Sequence, residues 1–592
     1  MHAPIFPMET IQSILASRLA AAAGDTGGIA VTVHAAQDTR YGDYQSNIAM
    51  QLAKPRRANP RAVATEIIAQ LKVEDLCETP EIAGAGFINF RLKPAALTAH
   101  FAALAADERL GVPPVPQRRL VIDFSSPNVA KPMHVGHIRS TFLGDSLARI
   151  GRFLGHTVVT DNNIGYWGTQ FGMLCLGWKT LLKKDALDRD PISELERIYK
   201  LQNERCKSDP AQLDAARAEL VKLQAGDGEN LAIWREMIRL SQVQFDTIYS
   251  RLGIRFDLTL GESFYNPWLK DTVADLVARG IARESDGALC VFSDRTGAEK
   301  EDPFLIKDEN GWKDSPALVQ KADGASNYTT TDLATLDYRS REISPDEVIY
   351  VTDGRQQLHF RQLFAIWRRW QPRVQVKLSH VWFGSILGED GKPFKTRSGD
   401  TVKLTDLLDE AIERAAKVIA EKNPDMPEAE RTEIAKIIGL GAVKYADLLP
   451  NRQGDYVFSW EKMLSFQGNT APYLQNAYVR IRAIFRKAGI DHSEFRTPNS
   501  AFALSEPAEF NLVKKLAQFG EVLPSILDDH RPNLLCNYLF ELANAYHSFY
   551  EACPVLKAGE PARSSRLTLS GTTARVLAKG LELLGIGVPE RM

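Results

Sequence analysis

The stretch from Leu120 to His137 constrains this chain more than any other, because it joins a buried-strand pattern to a helix start. Leu120-Val121-Ile122-Asp123-Phe124 is a short apolar run of the kind that suits a parallel strand. Beyond the intervening loop, Leu143, Leu147, Ile150 and Leu154 keep helical spacing, Gly155 supplies a stop, and Thr157-Val158-Val159 restarts a strand. The pattern predicts one βαβ unit with a right-handed crossover. Ligands of such units gather at the carboxyl ends of the strands, where a helix N-terminus offers unpaired N–H groups and partial positive charge. His134 and His137 fall there, three residues apart, with Gly136 between them leaving room for a flat base. Imidazoles can donate to phosphate oxygens as charge grows during displacement, without burial of a full cation. A nucleotide-phosphate site is expected; two helix-start histidines with a packing glycine are the plain alternative.

The rest of the chain bounds what surrounds that unit. With 592 residues and 44% hydrophobic content there is material for about three to five domains. No apolar run approaches the roughly 18 residues that span a bilayer, and Met1-His2-Ala3-Pro4 lacks the order of a secretory signal, so cytoplasmic residence without membrane contact is expected. Six scattered cysteines with no Cys-x-x-Cys pair argue against a disulfide framework and against a zinc site, and no metal-ligating set is expected. Net charge is −2 and pI about 6.6, so any nucleic-acid contact must be local. Arg480, Arg482, Arg486 and Lys487 form one basic cluster and Arg368, Arg369 and Arg373 another, although such clusters are more often solvated helix faces.

Gly111-Val112-Pro113-Pro114-Val115-Pro116 cannot continue a helix and marks a linker. The module before it mixes a helical pattern (Ala62 to Leu71) with strand-like Gly86 to Leu92, an α+β reading. Residues 192 to 251 are helical and charge-rich. After about Leu404 strand signals nearly vanish, and Leu404 to Glu421, Glu428 to Leu449, Tyr473 to Ala488, Asn511 to Leu527 and Asn533 to Glu551 pattern as amphipathic helices of a bundle. Gly391-Lys392-Pro393-Phe394-Lys395-Thr396-Arg397-Ser398-Gly399 is a glycine-bracketed basic loop that can swing over a triphosphate.

His134-Val135-Gly136-His137 resembles the "HIGH" motif of class I aminoacyl-tRNA synthetases, and the wider FSSPNVAKPMHVGHIRST resembles the arginyl-tRNA synthetase family. The basic loop resembles the "KMSKS" element, with Phe394 in the methionine place and Pro393 and Thr396 where lysines are usual. Tyr328-Thr329-Thr330-Thr331-Asp332 resembles the family's Tyr-x-Thr-x-Asp element, and Asp161 to Gly172 resembles its Asn-His-x-Gly-Asp-Trp-Gly-Thr-Gln-Phe-Gly strand end, with Asn163 and Tyr166 as departures. Asn469 to Gln475 and the final Pro589-Glu590-Arg591-Met592 resemble the anticodon-binding helical part, and Tyr41 to Asn47 the extra N-terminal domain.

The resemblance implies a multidomain α/β protein: a Rossmann-type class I synthetase catalytic domain over 117–403 with a helical insertion at about 170–260, an N-terminal α+β accessory domain over 1–112 contacting the tRNA elbow, and a C-terminal all-α helical anticodon-binding domain over 404–592. It implies an arginine–tRNA ligase that uses ATP and Mg²⁺, with L-arginine and tRNA(Arg) as partners, acting as a monomer. ATP would be held by His134, Gly136, His137 and Lys395, and catalysis carried by Lys131, His134, His137, Lys395 and Arg397, Lys131 replacing the missing loop lysine. Arginine would meet Ser126, Asn128, Asn162, Tyr328, Asp332 and Gln356, since a planar guanidinium demands a carboxylate and ring faces. Tyr473, Arg480 and Arg482 would touch tRNA, with Tyr478 and Phe485 as further stacking candidates. The rival readings are a small-molecule nucleotidyltransferase, which needs no helical C-terminal part, and a catalytically weak tRNA-binding paralogue, which the altered loop and Tyr166 would favour.

Overall fold

A computed structural model describes residues 8–36, 38–164, 169–394, 402–490 and 502–592. The chain forms two compact units, one of Pro116–Lys417 with Val443–Lys462, the other of Met1–Val115, Val418–Ala442 and Met463–Met592.

The first unit is built on β1 (Arg119–Asp123), α1 (Ile138–Leu154), β2 (Thr157–Asp161), α2 (Tyr328–Glu342), β3 (Glu347–Tyr350), α3 (Gln357–Trp370) and β4 (Lys377–His380). The strands form one parallel sheet in the order β4-β3-β1-β2. Leu120, Val121, Ile122, Val348 and Ile349 are buried, as expected of strands covered on both faces. The first half of the chain adds β2 outside β1 and the second half adds β4 outside β3. A topological switch point therefore lies between β1 and β3, the place where open sheets of this kind form their ligand crevice. Helix α1 crosses very close to the sheet, because a Cβ on Gly144 would stand 2.1 Å from Phe124 Cγ. It ends at Gly155 with φ 102°, a left-handed position that glycine adopts without strain.

The insertion after β2 comprises helices Thr169–Leu181, Lys184–Arg189, Pro191–Ser208, Pro210–Gln224 and Gly228–Leu252, packed through Phe171, Leu174, Leu195, Ile198 and Met237. Beyond it stands a part without a signal in the sequence reading. Ala282–Ser285, Ala288–Val291 and Ala317–Gln320 form an antiparallel sheet beside a ribbon of Leu305–Asp308 and Gly311–Asp314. These strands have four residues each and several charged side chains, too short and polar for an alternation to show.

Residues 443–462 are held to the first unit by a buried arginine. Arg139, in the first turn of α1, donates to the Gly384 and Gly454 carbonyls, 2.9 Å each, and lies 3.4 Å from Asp447. Ile386–Leu387, which leads towards the basic loop, pairs in parallel with Tyr456–Val457.

The second unit contains a four-stranded antiparallel sheet (His34–Ala35, Tyr44–Ser46, Phe87–Phe90, Glu81–Ala83, in that spatial order) with helices Ile11–Ala23, Ile48–Arg56, Pro60–Gln70 and Pro94–Ala106. The same unit holds helices Ala471–Ala488, Pro507–Ala517, Phe519–Asp529, Asn533–Ala552 and Ala562–Leu583. The single helix expected over Asn511 to Leu527 is thus two, meeting at Gln518, where the last turn tightens and Gln518 N–H donates to Lys515 O at 3.3 Å. Helix Ala562–Leu583 leaves no amphipathic pattern in the sequence because most of its surface is buried. Its Ser and Thr residues other than Ser564 are buried, and Ser570 and Thr573 satisfy their hydroxyls on carbonyls one turn back. Sheet and helices are tied by Glu521, which accepts from Tyr44 OH (2.8 Å) and Gln12 N–H (3.2 Å), and by the Lys514–Asp43 ion pair at 2.6 Å.

Candidate active site and tRNA-contacting surface

The loop after β1 carries three non-glycine residues with positive φ, Ser125 (72°), Ser126 (45°) and Ala130 (59°). Such strain persists only where surroundings over-determine it, and they do. Ser125 N–H donates to Ser140 Oγ (2.8 Å), Ser126 N–H to Asn162 Oδ1 (3.0 Å) and Ala130 N–H to Ser241 Oγ (2.9 Å). Asn162 is fully buried, its amide donating to Tyr249 OH at 3.2 Å. Asn162 thus lies beneath the rim and is bonded to it through Ser126.

His134 has extended backbone and precedes the short turn Val135–His137; it is the cap of that turn rather than a member of a first helical turn. Its Nδ1 accepts from Gly136 N–H, and His137 Nδ1 accepts from His134 N–H, both at 3.1 Å. With each Nδ1 accepting, the ring proton of each lies on Nε2, and the centroids stand 4.0 Å apart. Burial and the Lys131 ammonium push His134 down, and burial pushes His137 to about 3, so both imidazoles are neutral donors at physiological pH. Gly136 has a reason beyond room for a base: a Cβ there would lie 2.8 Å from His134 Cε1 and displace the ring.

Lys131 is half-buried, with its ammonium 4.6 Å from the centre of the Tyr199 ring. The chain that leaves the basic loop is bonded to the histidine segment, Val135 N–H to Val402 O (3.0 Å) and Leu404 N–H to Met133 O (2.9 Å). At the other end of the loop Phe394 stacks on Phe458, centroids 4.5 Å apart. Lys395, Arg397 and Tyr166 lie outside the described residues.

Across the switch point, Asp332 in the first turns of α2 accepts from His359 Nε2 of α3 at 2.6 Å. Tyr328, 59% exposed, meets the His359 ring edge-on at 4.7 Å. Beneath them Arg339 donates to Asp123 (2.6 Å) and Asp161 (2.7 Å), the acids ending β1 and β2. Two carboxylates share one guanidinium in a dry place. Burial and the neighbouring Asp161 hold Asp123 above the usual carboxylate range, and Asp332 adds to that field. The crevice is thus anionic, with an aromatic face exposed beside it. Ser126 Oγ lies 3.3 Å from Asp123 Oδ1; Asn128 is half-buried on the same loop, and Gln356 is exposed at the turn after β3.

Asp123, Asp161, Arg339 and His359 were not singled out from sequence. An acid closing an otherwise apolar strand at Asp123 was the available signal; the Arg339 and His359 partners, 216 and 27 residues from theirs, had none.

In the second unit a cavity of about 660 Å³ lies between helices Ala471–Ala488 and Asn533–Ala552, lined by Tyr473, Arg480, Lys487, Tyr546 and Tyr550 among others. Arg480 is exposed, and Tyr473 OH donates to Asn544 at 2.7 Å. Arg482 is paired with Glu590 at 3.1 Å. Tyr478 and Phe485 are core residues, 8% and 2% exposed, and cannot offer the stacking faces expected of them.

Comparison with known proteins agrees with this arrangement. Residues 100–460 match the family described as tRNA synthetases class I (R), catalytic domain; residues 474–592 match the DALR anticodon binding domain, and residues 9–92 the arginyl tRNA synthetase N terminal domain. The chain is 48% identical over 570 residues to the arginine–tRNA ligase of Synechococcus elongatus, covering 94% of each, and 43% identical over 592 residues to that of Chromobacterium violaceum, covering 98% of this chain and all of the relative. Solved structures of arginyl-tRNA synthetases superpose with TM-score 0.82: that of Plasmodium falciparum at 28% identity, covering 99% of this chain and 100% of that one, and that of Thermus thermophilus at 26%, covering 98% and 100%. With a neutral histidine pair and an anionic crevice at one switch point, and relatives matched along nearly their whole length, the chain belongs to the arginyl-tRNA synthetase family of class I aminoacyl-tRNA synthetases.

Proposed function

We propose that this chain forms arginyl-adenylate from L-arginine and ATP and passes the arginyl group to the 2′-OH of the terminal adenosine of tRNA(Arg). The observation that carries the substrate assignment is Asp332, held by His359 above a buried cluster with one more carboxylate than guanidinium. A guanidinium entering there meets two negative charges and the Tyr328 face. The substrate carboxylate attacks the ATP α-phosphate, pyrophosphate leaves, and the charge that grows on the phosphate oxygens is met by the Nε2–H groups of His134 and His137 and by the Lys131 ammonium. Lys395 and Arg397 would add charge from the basic loop. Ser126, Asn128 and Gln356 would line the rim near the substrate α-amino and carboxylate groups, with Asn162 acting through Ser126.

Among the described residues no three His, Cys, Asp or Glu side chains are grouped so as to hold a metal. We assign Mg²⁺ to the phosphates of ATP, where it supplies charge neutralisation, rather than to a protein cage. The N-terminal module and the helices beyond residue 404 would bind tRNA at its elbow and anticodon, with Tyr473 and Arg480 as contacts; Arg482 would do so once released from Glu590. No helix among the described residues is long and apolar enough to cross a membrane, and we propose a cytoplasmic monomer. Pyrophosphate exchange into ATP tests the reading. It should require L-arginine and be strongly stimulated by tRNA(Arg); exchange without arginine, or with another amino acid at equal rate, would overturn it.

A further inference from the structure

Lys131 stands on a flexible four-carbon stem, and the loop that carries it does not by itself fix where its charge sits. Among the described residues no carboxylate lies within ion-pairing distance of it. Glu196 is nearby in charge, yet its carboxylate is taken by Lys200 at 2.7 Å. The group that meets the Lys131 ammonium is the ring of Tyr199, 4.6 Å from its centre. A carboxylate would spend the lysine's charge. A ring face holds an ammonium in place and leaves its charge and outward N–H donors free for phosphate oxygens. Tyr199 is itself fixed, since it lies in the insertion helix Pro191–Ser208 and packs on the cluster of Leu195, Ile198 and Met237. The same helix meets the chain at the far end of the basic loop, where Lys403 Nζ donates to Ser193 Oγ at 3.4 Å. Lys403 also pairs through its backbone with His134. One insertion helix thus touches cations on both sides of the histidine segment.

We propose that Tyr199 is a positioning residue for amino-acid activation, its ring serving as the seat that holds the Lys131 ammonium beside the two histidines. The insertion then forms one wall of the phosphate site. This rests on Lys131 carrying transition-state charge, and the test separates the two ideas. Single-turnover arginine activation in the presence of tRNA is measured for the full-length protein and for Tyr199→Phe, Tyr199→Leu, Lys131→Ala and the Leu/Ala double variant, with Tyr199→Met as a second apolar replacement should the leucine variant not fold. Lys131→Ala should lower kcat by about a hundredfold, as loss of one preorganised charge contact does. Tyr199→Phe should stay within about twofold of wild type, and Tyr199→Leu should lower kcat about tenfold with the KM for arginine and for ATP nearly unchanged. The double variant should be no slower than Lys131→Ala alone. Tyr199→Leu at the wild-type rate beside a slow Lys131→Ala, or losses that multiply in the double variant, overturns the seat and leaves Lys131 in its role. A fast Lys131→Ala overturns that role and the seat with it, and a lowered melting temperature with kcat intact marks Tyr199 as packing only.

Discussion

Single side chains at this site work in pairs whose members come from distant parts of the chain. His359 bonds one oxygen of Asp332 and leaves the other outside that bond, while Ser126 N–H is held by Asn162. Replacing Asp332 by Asn keeps shape and removes charge. Removing one partner of a desolvated charge pair costs about 3–5 kcal/mol. Asp332→Asn should therefore lower kcat/KM for arginine by about a hundredfold or more, with little change in melting temperature. Steady-state kinetics on the folded variant check this, and a value within threefold of wild type would remove Asp332 from the pocket. At this scale His134 and His137 are readable from their spacing at a helix start, and Tyr328, Asp332, Asn162 and Gln356 only through the family resemblance. The Asp123–Arg339–Asp161 cluster is not, since its acids look like ordinary strand ends until α2 brings the guanidinium between them.

Helix α1 follows directly on the histidine turn, so the histidines sit only as accurately as α1 sits on β1, and Gly144 inside the helix and Gly155 at its end separate seat from stop. A Cβ on Gly144 meets the Phe124 ring at 2.1 Å, whereas one on Gly155 meets nothing within 4 Å and is opposed only by φ 102°. Gly144→Ala overpacks a core contact, which costs about 1–3 kcal/mol. It should lower both melting temperature and activation kcat, because the helix must lift off the strand that leads into the Ser125–Lys131 loop. Gly155→Ala should cost about 1–2 kcal/mol and leave kcat unchanged. Thermal melts and pyrophosphate exchange on both variants read the difference, and equal kcat losses would mean that α1 does not position the histidines. The elements missed from sequence share a cause. Ala562–Leu583 is buried on nearly all sides and the strands between 282 and 320 are too short, so neither writes a periodic pattern.

For the molecule as a whole, net charge −2 makes RNA affinity depend on a few placed cations. Arg480 is exposed at the mouth of an aromatic cavity, so Arg480→Ala should weaken tRNA binding and reduce the slope of log affinity against log salt by about one. Filter binding at several salt concentrations decides, and an unchanged slope would exclude a phosphate contact. The tie between the N-terminal sheet and the helices of the second unit is pH-dependent. Burial pushes Glu521 up from 4.5 to about 7, so between those values the native state binds a proton that the unfolded chain does not. Its contribution to stability is present below pH 4.5 and lost as pH rises through 7. Glu521→Gln can still accept from Tyr44 and Gln12, so it should gain stability relative to wild type from pH 5 to pH 8, on the order of 2 kcal/mol. Urea midpoints of both proteins at the two pH values measure it, and a difference that does not change with pH would refute the linkage.

Local spacing along the chain specified the βαβ unit around His134 and His137 and the helical character of the last third, because each rests on a pattern within a few turns, whereas Tyr328–Asp332 stood out only by its resemblance to a family element. The first two follow local rules of period, turn and cap. Only the packed molecule decides that both histidines are neutral, that Arg339 sits between two strand-end acids, that His359 bonds Asp332, that Asn162 is buried beneath Ser126, and that Tyr478 and Phe485 face the core. Each of these depends on burial or on a partner tens to hundreds of residues away. Free energies of charge and hydrogen bonding follow distance and solvent in space, and a linear sequence carries neither.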